Sequence, residues 1–372
     1  MMFRDLLHRA FAPRSRQLQS LILPLSAVLA ALVVGGVMIS LAGFSPVQIY
    51  ASMLEAAAGT PQGLGVSVTN AIPLILAGLG VALPFRCGLL NIGGEGQIYV
   101  GALFATLVGL GFQSLPIYFH LPLALLAGFI GGGLWGAIPG YLRASRGLNE
   151  IIVTIMLNYI GFWIISFLVH GPLKDPESYG YSWTMKVAVS AQLPFVIRLA
   201  RINLGIVVAL LAAGVTHYLL WHTVPGFEMR AVGAGSQTAR FAGIRVGRST
   251  VLSMFIGGGL AGLAGTSVIL GVQYRLSDFF SPGYGFTAIA VALVGQTSPL
   301  GVVFAGLFFG GLQNGVTSAQ RSLGIPMGVA LSLQGLIMLF MIAGQSLTLI
   351  RWLRKKRTAR RVDHTQPAVL LD

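Results

Sequence analysis

Apolar positions along this chain run in long blocks uninterrupted by Asp, Glu, Lys or Arg. The blocks cover 21–42, 63–85, 96–119, 121–142, 151–169, 202–227, 249–274, 279–320 and 322–350. A helix crossing a bilayer core of about 30 Å needs about 20 apolar residues, and only a helix satisfies its own backbone polar groups in hydrocarbon. Most blocks fit that length. The block 279–320 has 42 residues and as one helix would reach about 63 Å, so it must fold back. The turn-forming cluster Gly295-Gln296-Thr297-Ser298-Pro299-Leu300-Gly301 marks the break. The pattern predicts an all-α polytopic membrane protein with about ten transmembrane helices.

Composition agrees: 55% of residues are hydrophobic, 9% are charged and 50 are glycine, and mean hydropathy is +0.80. Glycine runs such as Gly131-Gly132-Gly133 and Gly257-Gly258-Gly259 predict helices packed closely through small residues.

The net charge of +14 acquires meaning from its distribution. With the N-terminus inside, 18 basic residues fall on the cytoplasmic side and 6 outside, which follows the positive-inside rule and predicts cytoplasmic N- and C-termini. The division is then a cytoplasmic segment 1–20, a membrane domain 21–350 and a basic cytoplasmic tail 351–372. The tail begins Arg351-Trp352-Leu353-Arg354-Lys355-Lys356-Arg357 directly after an apolar block. That position fits a membrane-surface anchor in the lipid bilayer and not a nucleic-acid arm. The first block is 22 residues long, beyond the usual core of a cleavable signal, and is expected to be retained. Cys87 is the single cysteine, so no internal disulfide can form.

Two connecting segments are long. Residues 171–201, predicted outside, carry Tyr179, Tyr181 and Trp183 and read either as an interfacial aromatic loop or as a lid or docking surface. Residues 223–248, predicted inside, hold Glu228, Arg230, Gly233, Ser236, Arg240 and Gly243. Ser236 is a good N-cap for a short helix over 237–242 that Gly243 ends. The segment reads as an amphipathic connector or as a coupling helix docked on a motor subunit.

Four motifs carry a resemblance. They are Leu90-Asn91-Ile92-Gly93-Gly94-Glu95-Gly96-Gln97, Asn149 to Ile160, Gly226-Phe227-Glu228-Met229-Arg230-Ala231-Val232-Gly233 and Gly285 to Gly295. Together they resemble the nucleoside-type permease subunits of bacterial ABC importers, in the superfamily of ribose and branched-chain amino acid permeases, over about residues 20–350. The resemblance implies a ten-span subunit in the inner membrane that pairs with a second, related permease, a cytoplasmic ABC ATPase and an extracytoplasmic substrate-binding lipoprotein. It also implies that Glu228 to Ile244 is the coupling loop. Relatives often carry Asn where this chain has Gly235.

The chain itself lacks a motor. A Walker A motif needs lysine directly after glycine, and Lys174, Lys186, Lys355 and Lys356 are the only lysines, none in that position. ATP and Mg are therefore expected on the partner ATPase, with no cofactor in this subunit. No His or Cys spacing suits a metal and no catalytic constellation is expected, so the chain does not read as an enzyme. An ion-coupled secondary transporter remains as an alternative, weakened because only His217 lies deep in a block and Glu95 at an edge.

Glu95 has two readings: a pair with Arg86 that pins a turn, or, with Asn91 and Gln97, part of a cytoplasmic gate. Asn70, Asn158, Tyr159, Phe286, Thr287, Gln296 and Asn314 are either pathway residues or interhelical hydrogen-bonding side chains. Because all 24 basic residues fall outside block interiors, the cargo is expected to be neutral, a nucleoside first and a simple sugar or branched-chain amino acid next.

Overall fold

The computed structural model describes residues 29–343, which are mostly helical. The segment 1–28 and the basic tail lie outside the described residues, with the expectations attached to them.

The chain forms two units. In the described part of the first, 29–50 with 320–343, helix α1 (Leu29–Leu41) and helix α13 (Met327–Ala343) are short and apolar. The Tyr50 hydroxyl donates to the Leu32 carbonyl at 2.7 Å, and Gly35 faces the Leu333 side chain.

The second unit spans 51–319. Helix α2 (Pro46–Leu54) leads into it and ends in a π-turn, Glu55–Gly59. There follow α3 (Pro61–Arg86), α4 (Gly94–Gly111), α5 (Ile117–Arg146) and α6 (Glu150–His170). A short ribbon pairs β1 (Phe195–Ile197) with β2 (Ile202–Asn203). Then come α7 (Gly205–His222), α8 (Val224–Ala234), α9 (Ser236–Phe241) and α10 (Val246–Val268), the last prolonged by a π-turn to Gln273. Helices α11 (Tyr284–Val294) and α12 (Pro299–Leu323) follow. Among the described residues six helices, α3, α5, α6, α7, α10 with its π-turn and α12, are long and apolar enough to cross a membrane.

Helix α10 is central because its glycines admit three neighbours. A Cβ on Gly257 would strike the Gly80 carbonyl of α3, and one on Gly258 the Gly132 carbonyl of α5. One on Gly259 would enter the Phe129 ring, also of α5, and one on Gly265 would strike the Ile98 carbonyl of α4. Both glycine runs read from sequence thus serve close helix approach.

Several boundaries differ from the sequence pattern. The division placed at His120 lies instead at 112–116, where Pro116 is extended and breaks the helix. His120 is buried inside α5, its ring nitrogens 2.7 Å from Ser190 Oγ and 3.0 Å from the Val108 carbonyl. The block 202–227 breaks at Thr223, and 223–248 is two helices joined at Gly235. Helix α2 was not foreseen. The fold-back near 295–301 is where sequence placed it. Helix α11, with 11 residues, reaches about 16 Å, half a bilayer core.

The segment 171–201 is anchored and not free. Arg275 donates to Asp175 at 3.0 Å, Trp183 bridges Ser277, and Ser182 Oγ lies 2.8 Å from His170 Nε2. Tyr181 and Trp183 stack at 4.6 Å.

Candidate functional site

The 223–248 segment starts where Thr223 turns the chain. Its hydroxyl accepts from the Gly226 amide at 3.3 Å, and Pro225 occupies the first helical turn, where its missing N–H costs nothing. Helix α8 seats Met229 and Val232 in a cluster with Leu83, Cys87, Leu89, Ala239 and Met254. Gly233 abuts the end of α3, where a Cβ would strike the Arg86 carbonyl. Gly88, at φ +79°, provides the facing surface.

Ser236 does not cap α9. Gly235 holds the cap position, and Ser236 is the exposed first helical residue without a capping bond. Gly243, at φ +83°, ends this short helix as sequence indicated. Only Ala239 of α9 is buried. Phe241 is 93% exposed, and Arg240, Arg245 and Arg248 are exposed as well. Glu228 accepts from Ser249 Oγ at 3.5 Å, a marginal contact. Arg230 lies over the Trp221 ring, its guanidinium carbon 4.4 Å from the centroid.

The polar residues of 91–97 and Asn158 form a knot. Asn91 and Gln97 exchange two amide bonds, at 3.0 and 3.1 Å. Asn158 of α6 accepts from the Gly96 amide at 2.8 Å and donates to the Ile92 carbonyl at 2.9 Å. The Glu95 carboxyl group accepts from the Gly285 amide at 2.6 Å. All four side chains are buried and make these bonds, the arrangement that burial of polar groups demands.

Glu95 does not pair with Arg86. Arg86 donates through Nε to the Thr297 carbonyl and through Nη2 to the Gln296 carbonyl, both at 3.0 Å. Its guanidinium carbon lies 5.8 Å from the Trp221 centroid. Sequence reading missed this role because the acceptors are backbone carbonyls some 210 positions away.

Phe286 is exposed in the first turn of α11, Thr287 is half-buried there, and Gln296 is exposed in the turn after it. Asn314 donates to the Ala56 and Gly63 carbonyls and to Ser67 Oγ, tying α12 to the π-turn before α3.

Residues 64–342 match the family described as branched-chain amino acid transport system / permease component. The chain belongs to this permease family. The permease is 37% identical over 350 residues, 92% of its length and 99% of the relative's, to the guanosine ABC transporter permease protein NupP of Bacillus subtilis. It is 37% identical over 332 residues, 87% of each chain, to the glucose ABC transporter permease protein TsgB13 of Haloferax volcanii. It is 32% identical over 318 residues, 83% of its length and 86% of the relative's, to the nucleoside ABC transporter permease protein NupB of Lactococcus lactis. With six long apolar helices among the described residues the permease is a multi-pass membrane protein.

Proposed function

We propose that this permease carries nucleosides across the inner membrane as one subunit of an ABC importer, driven by ATP and Mg bound to a separate cytoplasmic ATPase. The likeness to NupP over nearly the whole of both chains carries the reading. The described Lys and Arg residues support a neutral cargo, because they lie at helix ends or in connecting segments and none compensates an anion at membrane depth. A second, related permease and an extracytoplasmic binding lipoprotein complete the assembly. The arrangement has ten segments, with α11 as a half-length one and both termini cytoplasmic. Helices α8 and α9 are the coupling segment: α8 is seated on α3, and α9 offers Phe241 and Arg240 to the ATPase. The knot of Asn91, Glu95, Gln97 and Asn158 frames the gate, with Phe286, Thr287 and Gln296 on the neighbouring α11 hairpin. Glucose is the second reading, favoured by the equal identity to TsgB13. Uptake of labelled guanosine and of glucose by the reconstituted assembly with ATP decides between them.

A further inference from the structure

Helix α11 is held at both ends by side chains from other elements. At its start the Gly285 amide donates to Glu95 of α4. At its far end the chain turns through Gln296 at φ +54° and Thr297 at φ +50°, left-handed conformations that non-glycine residues adopt only under constraint. The Thr297 amide closes the turn on the Ala292 carbonyl, and Arg86 braces it from outside by binding the two consecutive carbonyls. The planar guanidinium fork suits such paired acceptors, whereas a lysine presents a point charge.

The same Arg86 shares the Trp221 ring with Arg230 of α8. The ion pairs of the described residues, Arg143–Glu150, His170–Asp278 and Arg275–Asp175, involve neither arginine. Two like charges on one indole repel, while the ring faces attract each. Their arrangement thus depends on where α8 is seated, and α8 rests on the segment that carries Arg86 through Gly233.

We propose that Arg86 and Trp221 are positioning residues that carry displacement of α8 to α11, which acts as a strut between the coupling segment and the Glu95 knot. The proposal rests on the importer reading. Movement of α8 shifts Arg230, the shared indole and Arg86; Arg86 moves the 296–297 turn; and α11 delivers the shift to Gly285 and Glu95. No covalent step is involved.

The test measures ATP hydrolysis and uptake together in the full reconstituted assembly, with guanosine and, in a second arm, glucose as probes. Arg86→Gln, Arg86→Lys and Trp221→Leu are expected to lower uptake per ATP hydrolysed by about fivefold or more, within the range of coupling energies. Trp221→Phe, which keeps a ring face, is expected to retain at least half of the wild-type ratio. An unchanged ratio in Arg86→Gln and Trp221→Leu would overturn the proposal and leave the importer reading intact. So would equal loss in Trp221→Leu and Trp221→Phe with hydrolysis falling in proportion, which marks a purely structural role. Wild-type assembly that moves neither probe with ATP would overturn both.

Discussion

The Glu95 carboxyl group accepts the Gly285 amide at 2.6 Å, joining the first turns of α4 and α11 across 190 positions of sequence. Glu95→Ala leaves that buried amide without a partner, at a cost of about 1–3 kcal/mol, while Glu95→Gln keeps an acceptor and is expected to lose less. The charge-swapped double variant with Arg86→Glu and Glu95→Arg is expected to recover nothing beyond additivity, within about 0.5 kcal/mol. Thermal melts of the purified permease in detergent check this. Recovery by the swap would restore the Arg86 pairing that the geometry contradicts.

A Cβ on Gly233 meets the Arg86 carbonyl, so Gly233→Val must lift α8 from α3. Uptake by the assembly is expected to fall by about tenfold, the equivalent of about 1.4 kcal/mol, with the protein still present in the membrane. Gly258→Leu acts elsewhere, on the Gly132 carbonyl in the packed centre. It is expected to destabilise the bundle itself by about 1–3 kcal/mol or more, read as a lower melting temperature before any transport is measured.

Phe241 protrudes from α9 beside Arg240, while little of α9 is buried. Phe241→Ala and Arg240→Glu are therefore expected to leave the melting temperature of the isolated permease unchanged and to weaken co-purification of the ATPase. A large drop in the melting temperature would mean that these side chains serve the fold.

Cys87 offers a native reporter. Its side chain is buried, with Sγ 3.8 Å from the Ser249 carbonyl, and burial pushes the thiol above its ordinary pKa, with a hydrogen bond from the Ser253 side opposing. Because the thiolate is the reactive form, a raised pKa slows alkylation at neutral pH. Maleimide is expected to label Cys87 about tenfold or more slowly than an introduced Phe241→Cys in a Cys87→Ala background. Equal rates would show that α8 does not cover it.

The long apolar blocks made the membrane class legible, because helix length in a bilayer is set by thickness alone. The break at 295–301 was legible because turn residues cluster there. Helix α8 was hidden because Pro225-Gly226 reads as a turn. In the structure the proline opens the helix, and the glycine fits against the Leu219 carbonyl. His120 was read as a boundary because a polar residue in an apolar run looks like an edge, yet the Ser190 hydroxyl and the Val108 carbonyl inside the fold satisfy it. The right residues of the knot were visible as polar positions near block edges. Their partners were not, since Gly96, Ile92 and Gly285 contribute backbone groups that carry no side-chain signature.

Cargo is the point on which the proposed function stands. Assembled with the proposed ATPase, second permease and binding lipoprotein, the permease should accumulate labelled guanosine only with hydrolysable ATP. Unlabelled nucleosides should compete, and nucleoside monophosphates should not, since an uncompensated charge at membrane depth costs at least about 2.5–3.5 kcal/mol. Equal competition by a monophosphate, or accumulation of guanosine on an ion gradient without ATP, would contradict it.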